Sequence, residues 1–317
     1  MRSFARFAWA VLAYDVAVMA WGALVRATGS GAGCGQHWPL CNGEVVPRAP
    51  GAEMMVEFTH RATSGVALAL VVVLFLWARR VLPGGHPARR TSAAALAFMV
   101  TEALLGAALV LFGWVAKDAS AGRGFAMALH LANTFLLLAS LALTAGWADA
   151  SGGLVWRRGV LSRLLAFGGA ALLLTGVSGA VAALGDTLFP AVTFAAGLRQ
   201  ELSDGAHLLL RLRVAHPFAA LLAAGLLLGA AAVATRPRAG ERSRRAGLIL
   251  ATLVVVELFA GIVNLVLLAP VWMQVVHLVL ADLTWIALVL TVGWSALPDA
   301  RPREVAAPGG RSAPALG

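Results

Sequence analysis

Eight stretches of about twenty apolar residues dominate this chain of 317 residues, and short basic segments separate them. They run approximately over 7–25, 58–78, 93–114, 125–147, 162–184, 208–234, 247–268 and 273–296. A hydrocarbon layer about 30 Å thick takes about 20 helical residues to cross. Backbone in lipid must also satisfy its own hydrogen bonds. The runs therefore predict eight transmembrane helices. Composition agrees, with 60% of residues hydrophobic and 13% charged, where a soluble domain carries about a quarter charged. A secreted disulfide scaffold, a disordered protein and an ordinary cytosolic enzyme are excluded. The first run has no small-residue cleavage site close behind it and reads as a retained helix, not a signal peptide.

The net charge of +10 would suggest nucleic acid in a soluble protein. Here the arginines lie between apolar runs, so topology accounts for them and no nucleic-acid partner is expected. Seventeen of the 25 basic residues fall on the side that holds both termini, among them Arg79, Arg80, Arg89, Arg90 and the cluster Arg236 to Arg245. The other eight are Arg26, Arg48, Arg61, Lys117, Arg123, Arg199, Arg211 and Arg213. The positive-inside rule then puts both termini in the cytoplasm of a bacterial cell membrane. Residues 299–317, rich in Pro, Gly and Ala, read as a disordered cytoplasmic tail.

This orientation places the long loop from Arg26 to about Val56 outside. It holds both cysteines of the chain, Cys34 and Cys41. A cytoplasmic C-x₆-C would suggest a metal or redox site, whereas on the outer side a disulfide is the default. Closing so short a ring stabilises a fold by roughly 2–3 kcal/mol in the chain-entropy view. A bond that is also reduced during turnover is the alternative.

The two halves of the chain echo each other. Gly22-Ala-Leu-Val is matched by Gly179-Ala-Val-Ala, Glu102 to Gly106 by Glu257 to Gly261, and His60 by His216, at offsets of 157, 155 and 156 residues. His130 and His277 are 147 apart, which a shorter loop in the second half explains. The predicted fold class is an all-α integral membrane protein, its eight helices forming two pseudo-symmetric four-helix bundles. Residues 1–150 form one bundle, 151–298 the other, and 299–317 the tail.

Ionisable groups inside a membrane are costly and are usually functional or paired. Of the seven histidines, His37 and His86 lie in loops. His60, His130, His216 and His277 fall one each on the second, fourth, sixth and eighth runs, near the N-terminal end of each. All four therefore share one depth in the outer half of the bilayer. Two imidazoles on opposite faces of a flat macrocycle with apolar walls are what a b-type haem needs. Zinc would want three or four ligands converging on one point. Two separated pairs suit two haems.

Glu57 precedes His60 by one helical turn on the same face, and Arg213 holds the matching place before His216. A carboxylate beside one ligand suits proton handling at a reacting porphyrin, or else pairs with Arg61 or Arg26. A guanidinium beside the other suits haem propionates. Glu102 and Glu257 read as structural hydrogen-bonding residues, with a proton route as the alternative. Asp15 and Asp282 have no assigned role.

The run Gly22-Ala-Leu-Val-Arg-Ala-Thr-Gly-Ser-Gly31, then Cys34, Trp38-Pro-Leu-Cys41 and Glu57-Phe-Thr-His60-Arg61, resembles the bacterial, cysteine-pair-containing haem A synthases. The resemblance extends from Gly22 to about Leu290, and in the second half it rests mainly on the histidines. It implies an eight-helix membrane oxidoreductase that converts the C8 methyl of haem O to the formyl group of haem A. Two successive hydroxylations give a geminal diol, which loses water. It further implies that His60 and His130 flank the substrate haem, and that His216 and His277 ligate a haem b whose iron passes electrons. Arg213 would contact that haem b, Glu57 would be the catalytic acid, and Cys34 and Cys41 the disulfide. Implied partners are a haem O synthase supplying substrate, haem-copper oxidase assembly accepting product, membrane lipid and an electron donor of unknown nature. This chain has no cysteine pair in the second half, which some relatives carry. His207 and His216 compete as ligand, with Pro217 following the second. His216 keeps the repeat offset and is preferred. The main competing reading is a non-catalytic di-haem cytochrome b that transfers electrons. A transporter would place polar residues and broken helices at mid-membrane, whereas these histidines lie to one side.

Overall fold

The apolar runs all become helices. The computed structural model describes residues 2–150, 154–155, 159–236 and 241–297, with Arg242 described by its backbone alone. Among the described residues there are nine α-helices. They are α1 (Arg2–Ala27), α2 (Ala52–Val81), α3 (Pro87–Leu111), α4 (Ala121–Gly146), α5 (Val160–Leu188), α6 (Phe194–Glu201), α7 (Leu208–Ala234), α8 (Glu241–Val266) and α9 (Val271–Ser295). All except α6 are long and apolar enough to cross a membrane. The expected tail, 299–317, lies outside the described residues.

Several helices begin earlier than hydropathy predicts. Ser120 accepts from the Arg123 N–H at 3.2 Å and starts α4. Pro87 sits in the first turn of α3, where its missing N–H costs nothing. α2 starts at Ala52 because Glu53 and Glu57 are good helix formers, although they are poor membrane residues. The eight-residue α6 was not foreseen. It is short, and Thr193 caps it through the Ala196 N–H.

Helix neighbours set the architecture. α1 packs on α2, α2 on α3, α3 on α4 and α4 on α1; likewise α5 packs on α7, α7 on α8, α8 on α9 and α9 on α5. α1 and α4 of the first group meet α5 and α9 of the second. The seam between them is dense. Trp285 stacks on Phe135 at 4.9 Å between ring centroids and donates its indole N–H to the Phe135 carbonyl at 2.6 Å. Lower in the seam the contacts are reciprocal. A Cβ at Gly293 would meet Leu143 at 2.6 Å, and a Cβ at Gly146 would meet Leu290 at 2.8 Å. Small residues facing large ones let membrane helices approach closely, which is the main source of their association in lipid.

Segment 28–51 folds over one end of the first group. Cys34 and Cys41 are joined in a disulfide. Gly33 lies so close to the start of α2 that a Cβ there would meet backbone atoms of Glu53 and Met54 at 2.6–2.7 Å.

Candidate functional site

Each of the four membrane histidines lies in the first ten residues of its helix: His60 on α2, His130 on α4, His216 on α7 and His277 on α9. Three of them lie against helix backbone bare of any side chain. A Cβ at Gly22 of α1 would stand 2.9 Å from Cε1 of His60. A Cβ at Gly179 of α5 would stand 2.9 Å from Cε1 of His216, and one at Gly261 of α8 3.2 Å from Cε1 of His277. Gly106, the matching glycine of α3, faces open space. Three of the four repeated glycines seen in the sequence thus serve as flat walls for imidazole rings.

The Nδ1 atoms differ. That of His216 lies 3.1 Å from both Ser178 Oγ and the Thr175 carbonyl. A carbonyl only accepts, so Nδ1 carries the proton and Nε2 keeps its lone pair. The Nδ1 of His130 stands 3.3 Å from Glu102 Oε1 and that of His277 3.0 Å from Glu257 Oε1, contacts that are not aligned as hydrogen bonds. A carboxylate in that place also favours the proton on Nδ1. The buried Nδ1 of His60 has no partner.

The rings of His216 and His277 are 6.3 Å apart between centroids, with planes at 77°. Two imidazoles bound to one metal at about 2.0 Å each would put their ring centroids about 6 Å apart. Among the described residues no three His, Cys, Asp or Glu side chains form a cluster suited to a metal ion. The separation of the His216 and His277 rings would suit two imidazoles on one metal atom.

The loop end of the first group is tied to α2 by charge. Glu57 is 3% exposed. Its Oε2 accepts from the Cys34 N–H at 2.8 Å, and its Oε1 accepts from Arg61 Nη2 at 2.5 Å and Nε at 3.1 Å. Arg61 also donates to the His37 and Leu40 carbonyls at 2.5 and 2.7 Å, inside the disulfide ring. Of the two partners foreseen for Glu57, Arg61 is the one present. Arg26 turns instead to the second group. It donates to the Ala183 carbonyl at 2.8 Å, Thr187 Oγ1 at 3.0 Å and Gln274 Oε1 at 2.9 Å.

Arg213 bridges two carboxylates, Asp186 at 2.6 Å and Glu201 at 2.5 Å. Sequence reasoning missed both. Asp186 closes an apolar run, and Glu201 belongs to the helix that hydropathy did not register. Ser178 was missed too, and its only signal was its place beside the repeated Gly179. His207 is the N-cap of α7, accepting from the Leu209 N–H at 3.3 Å, with its ring 5.1 Å from that of Phe189. Glu102 accepts from Asn133 and Thr134, each at 2.5 Å, as a structural carboxylate should. Asp282 is fully buried, and neither of its carboxylate oxygens has a partner.

A sequence model of the cytochrome oxidase assembly protein family, COX15-CtaA, matches residues 5–289. This chain belongs to that family. The matched range includes all four histidines, the disulfide, Glu57 and Arg213. Together with the eight spans, it makes the chain a multi-pass protein of a bacterial membrane. Among relatives, a Thermus thermophilus protein named "Protoheme IX farnesyltransferase" is 51% identical over 286 residues, covering 90% of this chain and 47% of its own length. Proteins named "Heme A synthase" match over shorter stretches. That of Alkalihalophilus pseudofirmus is 45% identical over 30% of this chain and 32% of its own. That of Geobacillus kaustophilus is 36% identical over 45% and 42% respectively. The chain thus spans about half the length of the Thermus relative.

Proposed function

We propose that this chain is a haem A synthase, an oxidoreductase that converts the C8 methyl of haem O to a formyl group. The observation that carries the reading is the His216–His277 pair, whose ring separation suits one iron between them, inside a chain of the cytochrome oxidase assembly family. The relatives named "Heme A synthase" support it. We read the farnesyltransferase name of the longer relative as describing the part of it that this chain does not match, because the family match takes up nearly all of this chain. A relative with both kinds of sequence in one protein also supports a farnesylating enzyme as the source of substrate. Haem-copper oxidase assembly is the proposed destination of the product.

The proposed arrangement is two four-helix bundles related by the internal repeat, 1–150 and 151–298, with both termini in the cytoplasm. The helix neighbours and the reciprocal Leu143–Gly293 and Leu290–Gly146 contacts support the two groups of helices, and the placing of the basic residues supports the orientation. The histidines and the disulfide loop then lie on the outer side. His216 and His277 would hold haem b through their Nε2 atoms, and His60 and His130 would flank substrate haem O. When bound, haem b supplies electron-transfer chemistry. Arg213, paired with Asp186 and Glu201, would be the cation nearest in role to the propionates if haem b is held there. Glu57 is the proton-handling carboxylate we propose for the first pocket, with Arg61 and the Cys34 amide fixing its position.

Co-expression with a haem O synthase, followed by chromatography of the extracted haems, tests the reading. Haem A is the expected product. Haem B alone would instead mark a di-haem cytochrome b.

A further inference from the structure

The four imidazoles are not held alike. His216 has two acceptors at Nδ1, and His130 and His277 each face a carboxylate there. His60 has nothing. Partners at Nδ1 fix ring orientation and tautomer and raise the basicity of the other nitrogen, and losing one typically weakens metal binding 10- to 100-fold. The difference has a definite origin. On α5, Ser178 precedes the glycine that walls His216. Its hydroxyl donates to the Thr175 carbonyl at 2.9 Å, which turns an oxygen lone pair toward Nδ1. On α1, the residue preceding the glycine that walls His60 is Trp21. Its indole N–H turns away to the Val56 carbonyl at 2.9 Å. The backbone of α1 is as close to its histidine as that of α5, yet it offers no polar atom to the ring.

We propose that Ser178 is a positioning residue that makes His216 a permanent haem ligand, and that the hydroxyl-free wall at Trp21 makes His60 a releasable one. This deepens the haem A synthase reading and rests on it. A resident cofactor and a substrate that must leave as product place opposite demands on otherwise similar pockets. The ligand with a locked tautomer serves the first demand. The ligand whose Nδ1 has no partner, and which can carry its proton on either nitrogen, serves the second. His130 retains Glu102, so release is confined to one face of the substrate.

The test is haem transfer to excess apomyoglobin from the purified full-length protein, followed optically, with electron paramagnetic resonance of the bound ferric haem as a second readout. Ser178→Ala leaves the Thr175 carbonyl as the one acceptor at Nδ1, so it should lose haem B faster by up to about 10-fold and shift the low-spin signal, while Ser178→Thr, which keeps the hydroxyl, restores both. Trp21→Ser, compared with Trp21→Ala so that loss of the indole is common to both, should slow haem loss from the first pocket. Unchanged loss and an unchanged signal in Ser178→Ala overturn the proposal, as does failure of Ser178→Thr to restore them. Equal rates in Trp21→Ser and Trp21→Ala overturn its second half. A wild-type protein without bis-histidine haem B overturns the haem reading itself.

Discussion

Gly179 lies flat against the imidazole of His216, so close that a Cβ there would stand 2.9 Å from the ring. Gly179→Ala must push the ring or part α5 from α7. Overpacking of this kind costs about 1–3 kcal/mol. The expected result is a folded protein with much reduced haem B, measured as the haem-to-protein ratio. Gly106→Ala is the control. Its Cβ enters open space, and it should leave haem content unchanged.

The histidines should divide by pocket. His216→Ala or His277→Ala should abolish stable haem B, whereas His60→Ala or His130→Ala should retain it and lose conversion of haem O. His207→Ala should keep a normal spectrum and cost only a helix cap, about 0.5–2 kcal/mol. Pigment spectra and haem chromatography of the five variants check this. Loss of haem B from the first-half variants alone would reverse the assignment of pockets.

The four histidines themselves were the most legible part of the candidate site in the sequence. Histidines in apolar runs are conspicuous, and their shared spacing marks a common depth. The eight spans were legible for the same reason, since hydropathy reports contact with lipid. What stayed hidden depends on folding. Arg26 and Ala183 are 157 residues apart, and no local pattern joins them. Nor does any mark Ser178, an ordinary serine until α7 brings His216 beside it. α6 and the early start of α2 escaped because charged helical residues look like loop to a hydropathy scale. Glu57 and Arg61 stand four apart on one helix, so their pairing was readable. Their joint hold on the disulfide ring was not.

Glu57→Gln should slow methyl oxidation by roughly 10²–10⁴-fold if the carboxylate handles protons, with both haem pockets still filled. Arg61→Gln leaves that carboxylate in place but frees the His37 and Leu40 carbonyls, and should loosen the loop instead. Turnover assays beside limited proteolysis of segment 28–51 separate the two effects. Wild-type turnover in Glu57→Gln together with faster cleavage of the loop would reduce Glu57 to a holder of that loop.

Arg213→Gln removes the cation between Asp186 and Glu201. Both pairs are only partly buried, so the loss should cost less than the roughly 3–5 kcal/mol of a fully buried pair. We expect weaker retention of haem B without accumulation of a partly oxidised haem. A thermal melt and a chromatogram of extracted haems check both halves of the statement.

Cys34 and Cys41 should resist a membrane-impermeant thiol reagent on intact cells until a reductant is added, and then react. Labelling that appears only after lysis would invert the proposed orientation, and labelling without reductant would deny the bond.

Arg26 belongs to the first group of helices by covalent connection and to the second by every hydrogen bond its guanidinium makes. A cut in the connection near residue 150 would therefore not yield two self-sufficient pieces. The first fragment alone would carry an unanswered cation at its rim, and the second would carry an empty set of acceptors at Ala183, Thr187 and Gln274. Supplied together as separate chains, the fragments should find each other through the packed seam of Phe135, Trp285 and Gly293, and Arg26→Leu should weaken their reunion. For an engineer, the two pockets are not interchangeable modules. A transplanted half has to bring its docking partner's end of this contact with it.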